Sequence, residues 1–178
     1  MAKQKLSDLK KYLATLDEAA LREEVLKLFS KLSQVQAHYA QEFMSETERK
    51  NNLDAYKKKI RGQFWTSTGN RRKKINYREI RRLLTDFETV SLFPYELTDL
   101  ILYRVEVATE YASLMRGMTE VGYNAAHKAF EKALALMDEH KFGDYFQARC
   151  EALFRFKYLD GWYLALLKEA YGRYYEKK

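Results

Sequence analysis

Apolar residues recur every three or four positions along nearly the whole chain, and this period fits an α-helix and no strand. Leu6, Leu9, Leu13 and Leu16 begin the pattern. Leu21, Val25, Leu28 and Leu32 follow, with Asp17 as the expected N-cap, and the face is expected to continue through Val35 and Tyr39 to Phe43. Leu53, Tyr56, Ile60 and Phe64 form the next stripe, then Ile80, Leu83, Leu84, Phe87 and Val90. Leu97, Leu100, Ile101, Val105, Ala108, Tyr111 and Met115 run on to Gly117. Tyr123, Ala126, Phe130, Ala133, Leu134 and Met137 make another face. Ala148, Leu153 and Phe154 precede a break at Asp160-Gly161, and a last helix runs from Trp162 to about Tyr174. One proline and seven glycines in 178 residues argue against a loop-rich or all-β chain.

Local signals mark the helix ends. Ser45-x-x-Glu48, Asn76-x-x-Glu79 and Asp144-x-x-Gln147 read as capping boxes. Pro94 stands where a helix should begin, Thr119 reads as an N-cap, Gly117 reads as a C-cap, and Gly143 lies after the end of the helix that Thr119 opens. The spacing predicts an all-α single domain over residues 1–178, with about seven to nine antiparallel helices. Two arrangements fit, a compact bundle or a short stack of helical hairpins. The spacing Ala126-x-x-x-Phe130-x-x-Ala133 favours the stack, although a repeat array needs at least three units.

The charge is distributed unevenly. Lys57 to Arg82 holds eleven Lys and Arg against one acid, Glu79, a net +10 in 26 residues, while the whole chain is +7. The remainder therefore sums to −3. A local field of this kind selects partners. Its centre, residues 66–75, reads as a basic loop, with Thr66 to Asn70 the clearest turn-rich stretch of the chain. Lys57, Lys58, Lys59, Arg61, Trp65, Arg71, Arg72, Lys73, Lys74, Arg78, Arg81 and Arg82 are the candidate partner-binding residues, with Trp65 as a stacking or docking anchor. Three readings compete with a solvated or internally paired face. The first is docking of an acidic protein surface. The second is sequence-tolerant binding of RNA or single-stranded DNA, which needs cations interleaved with aromatic rings. The third is an anionic lipid surface.

Other chemistry leaves little trace. His38, His127 and His140 lack metal-ligand spacing, and His127 with Glu131 reads as an i, i+4 ion pair, so no metal is expected. No nucleophile signature and no phosphate loop occurs, so no catalytic residue and no cofactor is assigned. Cys150 has no disulfide partner and sits among apolar neighbours, which suits a buried inert thiol in a reducing compartment. Asp99, Glu106 and Glu110 lie on one helix and could meet the basic segment, and Arg104 or that segment could supply a cation that bridges Glu106 and Glu110. Most of the fourteen tyrosines suit the edge of a core, with a wet hydroxyl. No secretory leader and no membrane span is expected, which points to a cytoplasmic protein.

The opening KLSDLKKYLATLDEAALREEVLKLF, the segment YKKKIRGQFW, the LLTDF helix and FEKALALMDEH together resemble a bacterial family of unknown function. The resemblance spans about Lys5 to Trp162. It implies a small stand-alone helical chain whose basic middle segment belongs to the family pattern. It transfers no activity and no catalytic residue. The chain departs from the family near Thr66–Asn70, where a proline is expected and none stands. The resulting expectation is a non-enzymatic cytoplasmic binding module for an acidic protein partner, ahead of a nucleic-acid binder and an enzyme of unrecognised type.

Overall fold

The computed structural model describes residues 5–66 and 74–175. Most of the basic loop, including Arg71, Arg72 and Lys73, lies outside the described residues. The chain is all-α, with nine α-helices among the described residues. They fall into two compact units, one ending at Phe43 and one beginning at Met44.

The first unit holds α1 (Leu6–Leu13), α2 (Glu18–Lys31) and α3 (Ser33–Phe43). Asp17 caps α2, its side chain accepting from the Ala20 amide at 2.8 Å. The expected continuous face from Leu21 to Phe43 is interrupted. Leu32 is extended at φ −118° and ends α2, so Val35 and Tyr39 belong to a separate helix. The Phe29 and Tyr39 rings meet edge-on at 6.1 Å across the break.

The second unit holds α4 (Glu46–Phe64), α5 (Tyr77–Val90), α6 (Pro94–Leu114), α7 (Glu120–His140), α8 (Gly143–Ala152) and α9 (Gly161–Tyr175). A one-turn 3-10 helix, Leu153–Arg155, follows α8. Helix α6 is the hub and packs on α4, α5 and α7. Its sequence explains this position, because apolar side chains cover most of its circumference and such a helix must be enclosed. Leu100, Leu102, Val105 and Ala112 are fully buried or nearly so. They meet Ile60 and Phe64 of α4, Ile80 and Phe87 of α5, and Phe130 and Met137 of α7 in one core cluster. Tyr163 and Leu167 of α9 close the far side, where Tyr163 and Thr109 share a buried hydrogen bond of 3.1 Å.

Most helix ends lie where local chemistry places them. Ser45 and Glu48 form both bonds of a capping box. Thr119 accepts from the Gly122 amide, and Pro94 occupies the first turn of α6. Three ends differ from the sequence reading. Helix α6 closes at Met115, with Arg116 left-handed at φ 52°, short of the expected cap Gly117, while α7 closes on Lys141 at φ 59° with Gly143 beyond its end. Gly143 is the first residue of α8, so Asp144 lies inside the first turn and forms no capping box with Gln147. Asn76 caps α5, but the Glu79 carboxylate turns to Arg82 instead of closing the box. Among the described residues no helix is long and apolar enough to cross a membrane.

Tyrosine serves largely as expected of an edge residue. Tyr56, Tyr77, Tyr103, Tyr171, Tyr174 and Tyr175 are half-buried against the core. The Tyr175 hydroxyl donates to the Gly143 carbonyl at 2.8 Å.

Cys150 is fully buried, and burial pushes its thiol up to about 12. The unfolded thiol ionises near 9, so above that pH the unfolded state sheds a proton that the fold retains. Stability is therefore full below about pH 9 and declines as pH rises toward 12. Tyr163, also pushed up to about 12 by burial, adds a second decline from about pH 10. Between pH 9 and 10 the chain is expected to lose about 1 kcal/mol, chiefly through Cys150. Denaturant titrations of Cys150→Ala at both pH values should show most of that loss removed.

Candidate cationic groove between helices five and seven

The basic segment divides into two sets. Lys57, on α4, reaches the Asp99 carboxylate of α6 at 2.8 Å. Arg61, one turn later, grips Glu110 with both terminal nitrogens at 2.6 and 2.8 Å. Glu110 raises the Arg61 pKa and keeps it charged. Arg49 pairs with Glu96 at 3.1 Å on the same seam. The pairs 49–96, 57–99 and 61–110 ascend together, so α4 and α6 run in the same direction. Arg82 spends its charge on its own helix, binding Glu79 at 2.6 Å and Asp86 at 3.0 Å.

The second set consists of Lys58, Lys59, Lys74, Arg78 and Arg81. All five are exposed, and none forms a salt bridge among the described residues, although Lys59 lies near enough to Glu79 to help lower its pKa. Lys59 lies over the Tyr56 ring at 5.0 Å. Lys74 precedes α5, and Arg78 and Arg81 lie on its first two turns.

Trp65 occupies a different place from the one the sequence led us to expect. It is only 5% exposed, and its ring packs on Tyr111 at 5.1 Å. Its backbone N–H closes α4 on the Arg61 carbonyl. Two apolar rings in succession at a helix end, Phe64 and Trp65, both entered the core, so the indole is not a surface platform.

Two arginines outside the basic segment depart from the sequence reading: Arg149 was not expected to pair, and Arg104 does not bridge Glu106 and Glu110. Arg149 of α8 bridges Asp99 at 2.7 Å and Glu106 at 2.7 and 3.0 Å. Burial works against its charge, but Glu106 and Asp99 more than offset this, so its pKa is raised. The acids of α6 thus clamp α4 on one side and α8 on the other. These partners are 42 to 50 residues apart, and no linear spacing announces them.

Arg104 is the second. It is 5% exposed and has no acidic partner among the described residues. One terminal nitrogen donates to the Ala125 carbonyl of α7, and its Nε–H has no acceptor. Burial pushes its pKa down to about 10, so it stays charged at neutral pH. Here the sequence did hold a signal. Arg104 shares the helical spacing of Leu97, Ile101, Ala108 and Tyr111 and is the one cation on that inward stripe.

Arg104 lies on the floor of a groove of about 520 Å³ between α5, α6 and α7. Ile80, Leu84, Ile101, Val121, Ala125 and Ala129 supply its apolar wall. Arg81, Lys128 and Lys132 stand around it, and its one lining acid, Glu88, is held by Lys132 at 2.7 Å through both oxygens. A neighbouring recess of about 640 Å³ shares Tyr77 and Val121 with the groove and adds Lys74 and Arg116. Among the described residues that line the two, six are cations and one is an acid.

Tyr77 sits where the two recesses meet, and its hydroxyl lies 3.1 Å from the Thr119 hydroxyl. Gly122 permits this position, because a Cβ there would overlap the Tyr77 hydroxyl and the Met118 side chain.

His127 and Glu131 lie 3.7 Å apart, and Glu131 also holds Arg173 at 3.0 Å. Among the described residues, no group of three or more His, Cys, Asp or Glu is arranged to hold a metal ion.

The chain belongs to DUF6155, a family of unknown function, which matches residues 1–164. No curated protein and no solved structure matches it.

Proposed function

We propose that this member of a family of unknown function is a non-enzymatic binding module that docks an acidic, amphipathic helical segment of a protein partner. The docking site is the trough between α5 and α7. The observation that carries this reading is the combination of an apolar wall with six cations and one internally neutralised acid. Lys74, Arg78 and Arg81 supply an unpaired cationic rim on the α5 side.

Charge and apolar surface in one trough favour a protein segment over a polynucleotide. A nucleic-acid strand presents phosphates continuously and relies on flat aromatic rings for its bases. Of the three rings within the basic segment, Phe64 and Trp65 are inside the core, and Tyr77 is half-buried with its hydroxyl held beside Thr119. A helical partner instead offers acids on one side and apolar anchors on the other, at the i, i+3, i+4 spacing such grooves read. Helix α5 has 14 residues, so the trough offers roughly 20 Å for such a segment.

The test is fluorescence anisotropy on the full chain with two labelled probes. One is a helical peptide of about 20 residues with Glu on one face and Leu on the other. The second is a single-stranded RNA. The peptide is expected to bind in the micromolar range and to keep much of its affinity between about 50 and 200 mM salt, through its apolar face. RNA held by six to eight phosphate contacts would lose about a thousandfold over the same range. Tight, salt-sensitive RNA binding with no peptide binding would overturn the reading.

A further inference from the structure

The groove floor carries a feature that a surface docking site does not need. An arginine cannot shed its charge at neutral pH, and burying a cation without a counter-ion is costly. Arg104 is nonetheless enclosed, with an unmet Nε–H and a single carbonyl acceptor. The nearest other charges on the groove are cations. Arg81 lies close enough to disfavour the Arg104 charge, and Glu88 is occupied by Lys132.

We propose that the groove is a binding site for a small amphiphilic carboxylate, with Arg104 as its anchor. The planar guanidinium matches the two oxygens of a carboxylate. A single buried donor group suits a monoanion better than a phosphate, whose three oxygens and greater charge require several donors. Ile101, Leu84, Ala125 and Ala129 receive an aliphatic or aromatic stem. The volume of about 520 Å³ lies within the range of small-molecule sites. This site stands independently of protein docking: a trough that takes no peptide can still take the carboxylate.

The experiment is isothermal titration calorimetry of the full chain at pH 7.5 with octanoate, against 1-octanol and acetate. Octanol keeps the stem without the charge, and acetate the charge without the stem. Octanoate is expected to bind at least about tenfold more tightly than either. Arg104→Met should lose that preference, whereas Lys168→Ser, on the exposed side of α9 and away from the groove, should keep it. If Arg104→Met does not fold, Ala129→Phe gives the same answer by filling the wall with Arg104 in place. Equal binding of octanol and octanoate would overturn the proposal. So would undiminished octanoate binding in either groove variant. Peptide anisotropy fails or succeeds separately, so loss of one reading leaves the other measurable.

Discussion

Changing Lys74, Arg78 and Arg81 together to Glu is expected to weaken binding of the acidic peptide by about a hundredfold or more, with little change in melting temperature. Each of these side chains is exposed and lacks an acidic partner among the described residues, so folding loses little when it is reversed. At the rim, three reversals convert attraction into like-charge repulsion, which suppresses a partner strongly. Anisotropy and a thermal melt on the same samples check both halves. A variant that binds normally would show that the free cations of α5 are merely solvated.

The opposite outcome is expected at Asp99. Its carboxylate is mostly shielded and joins Lys57 of α4 to Arg149 of α8 through bonds of 2.8 and 2.7 Å. Asp99→Ala leaves Lys57 partly buried without its acid and removes one of the two acids on Arg149, Glu106 remaining. Fully buried pairs cost more to break, and the partial exposure of Lys57 and Arg149 reduces the effect, so a loss of about 2–3 kcal/mol is expected. That corresponds to a drop of roughly 5–10 °C for a chain of this size. The peptide affinity of the folded protein should be unchanged, because Asp99 faces the α4–α8 side and does not line the groove. Chemical denaturation with parallel anisotropy below the transition would test both. The two variants together separate cations that hold the fold from cations that face outward.

The local half of this architecture was legible in the sequence. Asp17, Ser45 with Glu48, Pro94 and Thr119 all mark helix starts, because a cap is built from residues three or four apart. The C-terminal ends of α6 and α7 were not legible, since the left-handed positions went to Arg116 and Lys141, residue types that seldom take that conformation. The +10 segment was visible, but its division was not. Which cations are neutralised depends on α6 lying beside α4, and Asp99 and Glu110 are more than 40 residues from their partners. Trp65 was misplaced for a related reason: an aromatic beside basic residues reads as a surface platform until the neighbouring Tyr111 is seen to enclose it. Arg104 was the one tertiary feature with a readable trace, a cation on an apolar stripe.

The central claim is that the outward-facing cations of the basic segment and the groove beside them form a single docking trough. Hydrogen–deuterium exchange of the full chain, with and without the acidic helical peptide, tests it most directly. Protection is expected along Tyr77–Glu88 of α5 and Val121–Lys132 of α7, with α4 unchanged from Lys57 to Arg61. Protection confined to α4, or no protection at a peptide concentration that saturates the anisotropy signal, would contradict it.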